Sequence, residues 1–213
     1  MLNRLADEEP GITVKGDILF NGADIFTSYK INELRRRIGM VFQKPCIFPG
    51  SIYRNVLFGA RHHKTMKEKE KNVLVESMLR KSHLWEEVKK RLKEPASKLS
   101  IGQKQRLVFA RTLAVDPEIL LLDEPTSSLD PHSTIEIEKA LNEMKSSKSI
   151  IVVTHILDQA KRLSGRVIFL SASSGSGRII EEGPAEDIFN RPAHEETKRY
   201  FSVIGDVPFG DIL

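Results

Sequence analysis

The sequence contains almost no cysteine, and Cys46 is the only one among 213 residues. One cysteine excludes an internal disulfide and fits a reducing cytosol, and with scattered histidines it does not suggest a metal cluster. The first ten residues, MLNRLADEEP, lack the apolar stretch of a signal peptide. No run approaches the roughly 18 apolar residues of a spanning helix, so a membrane role is expected to depend on a partner.

Neither sign of charge dominates the chain, because 33 Lys and Arg stand against 29 Asp and Glu, for a net charge of +4. Basic residues mostly alternate with acids, as in EEVKKRLKE, which argues against nucleic acid as a partner. The hydrophobic share of 40% is ordinary for a globular protein. A chain of this length buries one sizeable core, with room for a subdomain.

The stretch ILLLDEPTSSLD, residues 119–130, carries the strongest chemical signal. Its aliphatic run predicts a strand buried on both faces of a parallel sheet, ending at Asp123 and Glu124. Ligands of such sheets bind beyond the carboxyl ends of the strands. Two adjacent acids there suit a metal–phosphate site, in which one holds Mg²⁺ and the other orients or deprotonates a water. An isolated DE pair is more often a strand capped by solvated acids.

A second string, LSIGQ at 99–103, directly precedes a long helical pattern. A serine and a glycine at a helix N-terminus present free backbone N–H groups to an anion. Standing alone, the string would indicate an ordinary helix N-cap.

Together these strings resemble motifs of the ABC-type ATPases. ILLLDEP resembles the Walker B segment and SSLD the D-loop that follows it. The resemblance implies that Asp123 holds Mg²⁺ and that Glu124 is the general base or water-polarising carboxylate. It also implies that Asp130 lies at the contact between two ATPase subunits.

LSIGQ is similar to the ABC signature motif, which in the family binds the γ-phosphate of ATP held by the opposite subunit. The usual form is LSGGQ, and Ile101 replaces its first glycine. Ser100, Gly102 and Gln103 are retained, so we expect the nucleotide site to survive with an altered loop conformation.

Two further residues follow predicted strands and gain meaning from the same resemblance. Gln43 follows the strand predicted at 38–42 and would be the Q-loop glutamine, which reaches Mg²⁺ and the attacking water. His155 follows the strand predicted at 150–153 and would be the switch histidine at the γ-phosphate. Without the surrounding strings, Gln43 would be a surface amide and His155 a residue that hydrogen-bonds locally.

The resemblance implies an α/β fold, a P-loop NTPase-like ABC ATPase core of parallel sheet with flanking helices. We expect residues 1–213 to form a single, partial ABC ATPase domain, with a helical subdomain at 51–98 and a C-terminal tail at 190–213. Other strands are predicted at 14–20, 167–170 and 178–182, with helices at 31–37, from Ser51, in two pieces across 67–92, and at 131–145.

The 213 residues contain no GxxxxGK[ST] phosphate loop. That loop supplies the backbone cradle and the lysine for the ATP phosphates. In the family this loop lies upstream of a segment like MLNRL. We therefore expect that the first core strand and the phosphate loop of the family would precede Met1 and are absent from this chain. The expected consequences are weak MgATP binding by this polypeptide and exposed sheet edges.

Within the family, the strings at 33–59, 84–92 and 123–134 are most similar to the ATP-binding subunit of bacterial phosphate importers. This implies ATP and Mg²⁺ as cofactors, a second identical ATPase subunit and two transmembrane permease subunits. A phosphate-binding protein outside the membrane would be an indirect partner, and the chain would sit peripherally on the cytoplasmic face. A non-catalytic truncated remnant is the alternative, and a non-transport ABC ATPase ranks third.

Overall fold

The computed structural model describes residues 2–172 and 175–205, and the chain divides into two compact units, Met1–Val153 and Thr154–Leu213. In chain order the first unit contains strands β1 Leu19–Phe20 and β2 Ala23–Asp24, helix α1 Ile31–Arg37, strand β3 Ile38–Val41, helices α2 Ile52–Leu57, α3 Ala60–His63, α4 Glu68–Lys81, α5 Trp85–Val88 and α6 Ile101–Leu113, strand β4 Ile119–Asp123, helix α7 Pro131–Met144 and strand β5 Ser149–Val153. The single-domain assignment and the bounds of the subdomain and tail stay predictions.

The centre of the first unit is a parallel sheet with the order β3-β4-β5. Leu120 and Leu122 of β4 are buried, but Ile119 and Leu121 on its other face are only partly covered, by a cluster that includes Leu34. The prediction that β4 is buried on both faces is therefore wrong for one face. The cover on that face is a small hairpin and one short helix.

The aliphatic run at 150–153 predicts a second buried strand, and the structure of β5 contradicts that prediction. Ile151 and Val153 are 43% and 56% exposed. Within the described residues β5 pairs only with β4, so it is an edge strand of the three-stranded sheet. An aliphatic run alone does not distinguish a central strand from an edge strand.

The N-terminal hairpin is shorter than the sequence predicted. Only Leu19–Phe20 of the predicted strand at 14–20 pairs, antiparallel to β2. Asn21 and Gly22 form the turn with φ of 50° and 78°, as a two-residue turn of this type requires. The Asn-Gly pair also predicts such a turn from the sequence, and the structure confirms it, although residues 14–18 lie outside any strand.

The helices between β3 and β4 follow the sequence closely. Ser51 caps α2, because its Oγ accepts a hydrogen bond from Arg54 N–H at 3.2 Å. The two helical pieces predicted across 67–92 are α4 and α5, and between them His83 takes a left-handed φ of 54°. The central helix α6 packs against α2, α4 and β3 and is the main helix of this core.

The second unit contains α8 Leu157–Leu163, β6 Arg166–Ser171, β7 Arg178–Pro184, α9 Ala185–Asn190 and α10 Glu195–Gly205. Strands β6 and β7 form an antiparallel hairpin and match the two strands predicted at 167–170 and 178–182. Phe169 of β6 packs against Tyr200 and Phe201 of α10. Across residues 2–172 and 175–205, no helix combines the length and apolar character that a membrane crossing requires.

Candidate functional site

The end of strand β4 places two carboxylates next to each other in different backbone conformations. Asp123 is the last residue of the strand, whereas Glu124 has a left-handed φ of 42°. Such a φ is strained for a residue with a side chain and persists only where the surroundings enforce it. The Glu124 N–H donates to the Val153 carbonyl at 2.9 Å, which fixes the turn against β5.

Gln43 and Glu124 are brought into contact, as expected for a glutamine that follows the neighbouring strand. Gln43 Nε2 donates to Glu124 Oε2 at 3.0 Å and to Ser127 Oγ at 3.1 Å. The Ser127 hydroxyl in turn donates to the Glu124 carbonyl at 3.2 Å. Both hydrogen bonds of the Gln43 amide nitrogen are therefore made to protein atoms. The Gln43 amide oxygen Oε1 accepts no hydrogen bond from the described residues.

Asp123 is half-buried, and its carboxylate has no hydrogen-bond partner among the residues that the structure describes. In that same part of the chain no three His, Cys, Asp or Glu side chains converge on a common point. Magnesium in phosphate-transfer sites is usually held by one or two carboxylates together with substrate phosphates and water. The Asp123 carboxylate and the Gln43 oxygen fit that kind of ligand set.

The segment LSIGQ forms a capped helix N-terminus. Ser100 Oγ accepts from the Gln103 N–H at 3.2 Å, and Gln103 Oε1 accepts from the Ser100 N–H at 3.1 Å. This reciprocal capping box satisfies two donors and leaves the other N–H groups of the first turn to an anion. Ile101 begins α6 with a side chain that is 56% exposed, so the capping box forms in the presence of the substituted residue.

Gly102 marks a close approach between α6 and α7. A Cβ at this position would lie 2.0 Å from Ser133 Oγ and 2.6 Å from Ser133 Cβ. Asp130 caps α7, since its Oδ1 accepts from the Ser133 N–H at 3.0 Å. This backbone hydrogen bond is the main reason that the pKa of Asp130 lies below its ordinary value. The structure thus brings Gly102 and Asp130 to one place.

Sequence reasoning missed two charged residues beside this helix N-terminus. Glu87 of α5 accepts from Gln103 Nε2 at 2.7 Å and from Arg106 Nη1 at 2.6 Å. Arg106 is only 2% exposed, although it is an arginine. A signal was present, because Arg106 stands one helical turn before Ala110 on the apolar face of α6.

The loop that follows Gln43 is anchored to helix α6. Arg111 Nη2 donates to the carbonyl of Cys46 at 2.7 Å, and the guanidinium lies 4.2 Å from the centre of the Phe48 ring. Asn55 of α2 donates to the Phe48 carbonyl at 3.0 Å. The thiol of Cys46 itself is exposed.

His155 follows β5 and is the second residue of the Thr154–Leu213 unit. Its side chain is exposed, and the neighbouring Thr154 Oγ1 accepts from the Ile156 N–H at 3.1 Å. The switch role of His155 stays a prediction.

Comparisons with known proteins identify the family to which this chain belongs. A family model described as ABC transporter matches residues 1–127. Phosphate import ATP-binding protein PstB 2 of Mycobacterium tuberculosis is 46% identical over 207 residues, covering 97% of this chain and 74% of the relative. Phosphate import ATP-binding protein PstB of Thermotoga maritima is 45% identical over 202 residues, covering 94% and 79%.

A solved structure is similar across the described fold. CbiO1 from Clostridium perfringens, part of the ABC transporter complex CbiONQ, has a TM-score of 0.70 at 33% identity, covering 90% of this chain and 75% of that chain. The α/β ABC ATPase architecture that the sequence predicted is confirmed by this likeness. These matches and the motif geometry show that the chain belongs to the ABC transporter family.

Proposed function

We propose that this chain is the ATP-binding and ATP-hydrolysing subunit of a membrane importer for inorganic phosphate. The observation that carries the chemistry is the contact between Gln43 and Glu124 at the carboxyl end of β4. The substrate is inferred from the two relatives named as phosphate import proteins, each at least 45% identical to this chain. No residue of the chain is proposed to bind phosphate ion itself.

In the proposed mechanism Glu124 orients the attacking water and accepts its proton. Its Oε2 is held by Gln43 Nε2, so the carboxylate is fixed before the substrate arrives. Mg²⁺, held by Asp123 and the Gln43 oxygen, would neutralise charge on the ATP phosphates. A fixed base and a fixed cation site lower the barrier mainly by positioning and by electrostatic stabilisation.

The second half of the proposed site is the N-terminus of α6. Its free N–H groups and the Ser100 hydroxyl would bind the γ-phosphate of ATP carried by a second copy of the subunit. Gly102 allows the approach to α7, and Asp130 at the start of α7 would face that second copy. His155 is proposed to contact the γ-phosphate of the nucleotide that its own subunit carries, a role that rests on the family resemblance alone.

We further propose two permease subunits as partners, with a phosphate-binding protein acting through them. The loop after Gln43 would transmit the state of the nucleotide site, because Arg111 ties it to the helix that begins at Ser100. The chain would then lie on the cytoplasmic face of the membrane without entering it. A truncated remnant and a non-transport ATPase are less well supported, because the relatives above are named as import proteins.

The proposal is tested by reconstituting the subunit, as purified from its native source, with its two permease subunits and phosphate-binding protein in lipid vesicles. ATP hydrolysis stimulated by phosphate, with uptake of phosphate and not of sulfate, is the expected result. Hydrolysis without phosphate uptake would reject the substrate assignment. Complete lack of hydrolysis in a correctly assembled complex would favour the non-catalytic remnant.

A further inference from the structure

Glu87 occupies a junction between the predicted helical subdomain at 51–98 and the N-terminus of α6. Its two carboxylate oxygens have different partners: Oε2 accepts from Gln103 Nε2 at 2.7 Å and Oε1 accepts from Arg106 Nη1 at 2.6 Å. One side chain on α5 therefore holds two residues that lie three positions apart on α6. Residues at this spacing lie on the same face of a helix.

The carboxamide of Gln103 is almost fully used within the protein. Its Oε1 accepts from the Ser100 N–H at 3.1 Å and from Arg91 Nη2 at 3.3 Å, while its Nε2 donates to Glu87. The backbone N–H of Gln103 is also taken, by Ser100 Oγ. In this arrangement Gln103 connects the helical subdomain to the capping box and is not presented as a ligand for nucleotide.

Arg106 keeps Glu87 in place. Its guanidinium is buried, and Nη1 donates to the His83 carbonyl at 2.7 Å as well as to Glu87. A buried guanidinium that loses its carboxylate is left with an uncompensated charge, which is strongly unfavourable. The Glu87 side chain therefore cannot turn toward solvent without breaking its contact with Arg106. Because Arg106 is part of α6, the Glu87 carboxylate is held in a fixed position relative to α6.

The charges around Glu87 favour its ionised form. Burial raises the pKa of Glu87, but hydrogen bonds from Gln103 and Arg106, followed by the charges of Arg106 and His132, bring that pKa below its ordinary value. Carboxylates accept stronger hydrogen bonds than neutral amides do. Replacing the charge should therefore weaken both contacts.

We propose that Glu87 is a positioning residue for the phosphate-binding N-terminus of α6, acting through the Gln103 carboxamide on the capping box of Ser100. A displacement of α5 relative to α6 is then transmitted to the N–H groups that would bind the γ-phosphate. The proposal rests on the function proposed above for α6. It assigns Gln103 a structural task that differs from direct contact with the nucleotide.

Hydrogen exchange of the full 213-residue chain tests the positioning without requiring turnover. In Glu87→Gln we expect faster exchange of the Ser100 and Gln103 amides, because the capping box loses its support. Glu86→Gln is the matched control, since Glu86 is the neighbour on α5, is exposed and pairs with Arg80 and Lys89. Equal exchange in wild type, Glu87→Gln and Glu86→Gln would overturn the proposal.

Two more variants separate positioning from loss of a buried ion pair. Glu87→Asp keeps the charge beside Arg106 but withdraws the carboxylate from Gln103, so it should also accelerate exchange. The exchanged pair Glu87→Gln with Gln103→Glu restores a donor–acceptor contact and keeps a side chain suited to the capping box. Exchange should return toward wild type in this pair, and failure to do so would count against the proposal.

Steady-state kinetics in the vesicle complex give the functional readout. Glu87→Gln should lower kcat roughly tenfold, as expected for loss of a charge-assisted hydrogen bond, with KM for ATP unchanged. An active wild type with Glu87→Gln as fast as Glu86→Gln would reject the positioning role. An inactive wild type would instead reject the function proposed above, and the exchange experiment would remain decisive for Glu87.

Discussion

The end of β4 and the start of α6 are both polar, but their side chains are satisfied in opposite ways. At β4 the Asp123 carboxylate and the Gln43 oxygen have no hydrogen-bond partner among the described residues. At α6 the side chains of Ser100 and Gln103 are paired with protein atoms, and what remains open is backbone N–H. The first region offers side-chain ligands, whereas the second offers a shape that its side chains maintain.

This difference predicts different consequences of mutation. Substitutions that remove the Asp123 carboxylate should remove chemistry and leave the fold intact, because that carboxylate makes no hydrogen bond to the described residues. Substitutions at the start of α6 should change stability and activity together, because the side chains there support the backbone.

Glu124→Gln should produce the largest loss. A glutamine keeps the shape but accepts no proton from water, and loss of a general base lowers kcat roughly 100-fold or more. Thermal unfolding should change little, because the glutamine oxygen can still accept the hydrogen bond from Gln43 Nε2. Glu118→Gln, at the opposite end of β4, is the control and should retain hydrolysis. Substantial hydrolysis by Glu124→Gln would show that another residue is the base.

Gly102→Ala should affect stability as well as activity. Glycine to alanine inside a helix normally stabilises by about 1 kcal/mol, but here the new methyl group meets Ser133. Overpacking of this kind costs about 1–3 kcal/mol, so we expect a lower free energy of unfolding in a denaturant titration.

Two variants check this interpretation. Adding Ser133→Gly to Gly102→Ala removes the clashing atoms and should recover part of the stability. Gly165→Ala is the control, because a Cβ there meets no atom within 4 Å. A Gly102→Ala variant as stable as wild type would mean that α6 and α7 separate easily.

Asp130 provides a pH-dependent test of the α7 cap. Its pKa is lowered in the folded chain from the ordinary 3.8, chiefly by the Ser133 N–H, so the ionised carboxylate stabilises the fold. That contribution is complete above the unfolded pKa and is lost as pH falls through the lower folded value. Wild-type Tm should therefore drop more steeply than that of Asp130→Asn below about pH 4, because asparagine caps without ionising.

Asp130→Ala completes this comparison because alanine has no capping atom at any pH. Its Tm should lie below that of Asp130→Asn throughout the titration. Identical pH profiles for wild type and Asp130→Asn would show that ionisation of Asp130 does not contribute.

Ile101→Gly should have the smallest effect. The Ile101 side chain is mostly exposed, and the capping box beside it is already formed. Glycine in a helix costs up to about 1 kcal/mol, and less in the first turn, so a small fall in Tm is expected with hydrolysis unchanged. A several-fold rise in hydrolysis would instead show that Ile101 hinders the phosphate.

The fold could be predicted well where the signal is local. Helix α1, the cap at Ser51 and the break between α4 and α5 were read from periodicity and capping residues. The exposure of β5 could not be read in this way, because Ile151 and Val153 look the same in a central strand and in an edge strand. Neighbouring strands, and not composition, decide how much of such a residue is covered.

Part of the candidate site was also predictable, because the signal for that part is local in the sequence. Asp123, Glu124 and Gln43 belong to strings that fix their place at strand ends, so their proximity follows from parallel pairing. Glu87 and Arg106 were not found, because their contact depends on how α5 docks on α6. The segment EEVKKRLKE reads as alternating surface charge, and nothing in it distinguishes Glu87 from Glu86.

The single exposed thiol of Cys46 makes the molecule suitable for site-specific spectroscopy. A maleimide dye or nitroxide would attach at one position only, three residues after Gln43, without prior removal of other cysteines. The Cys46 carbonyl is fixed by Arg111 on helix α6, whose N-cap is Ser100. A label at Cys46 would therefore report, in real time, on movements of the loop after Gln43 that follow changes at α6.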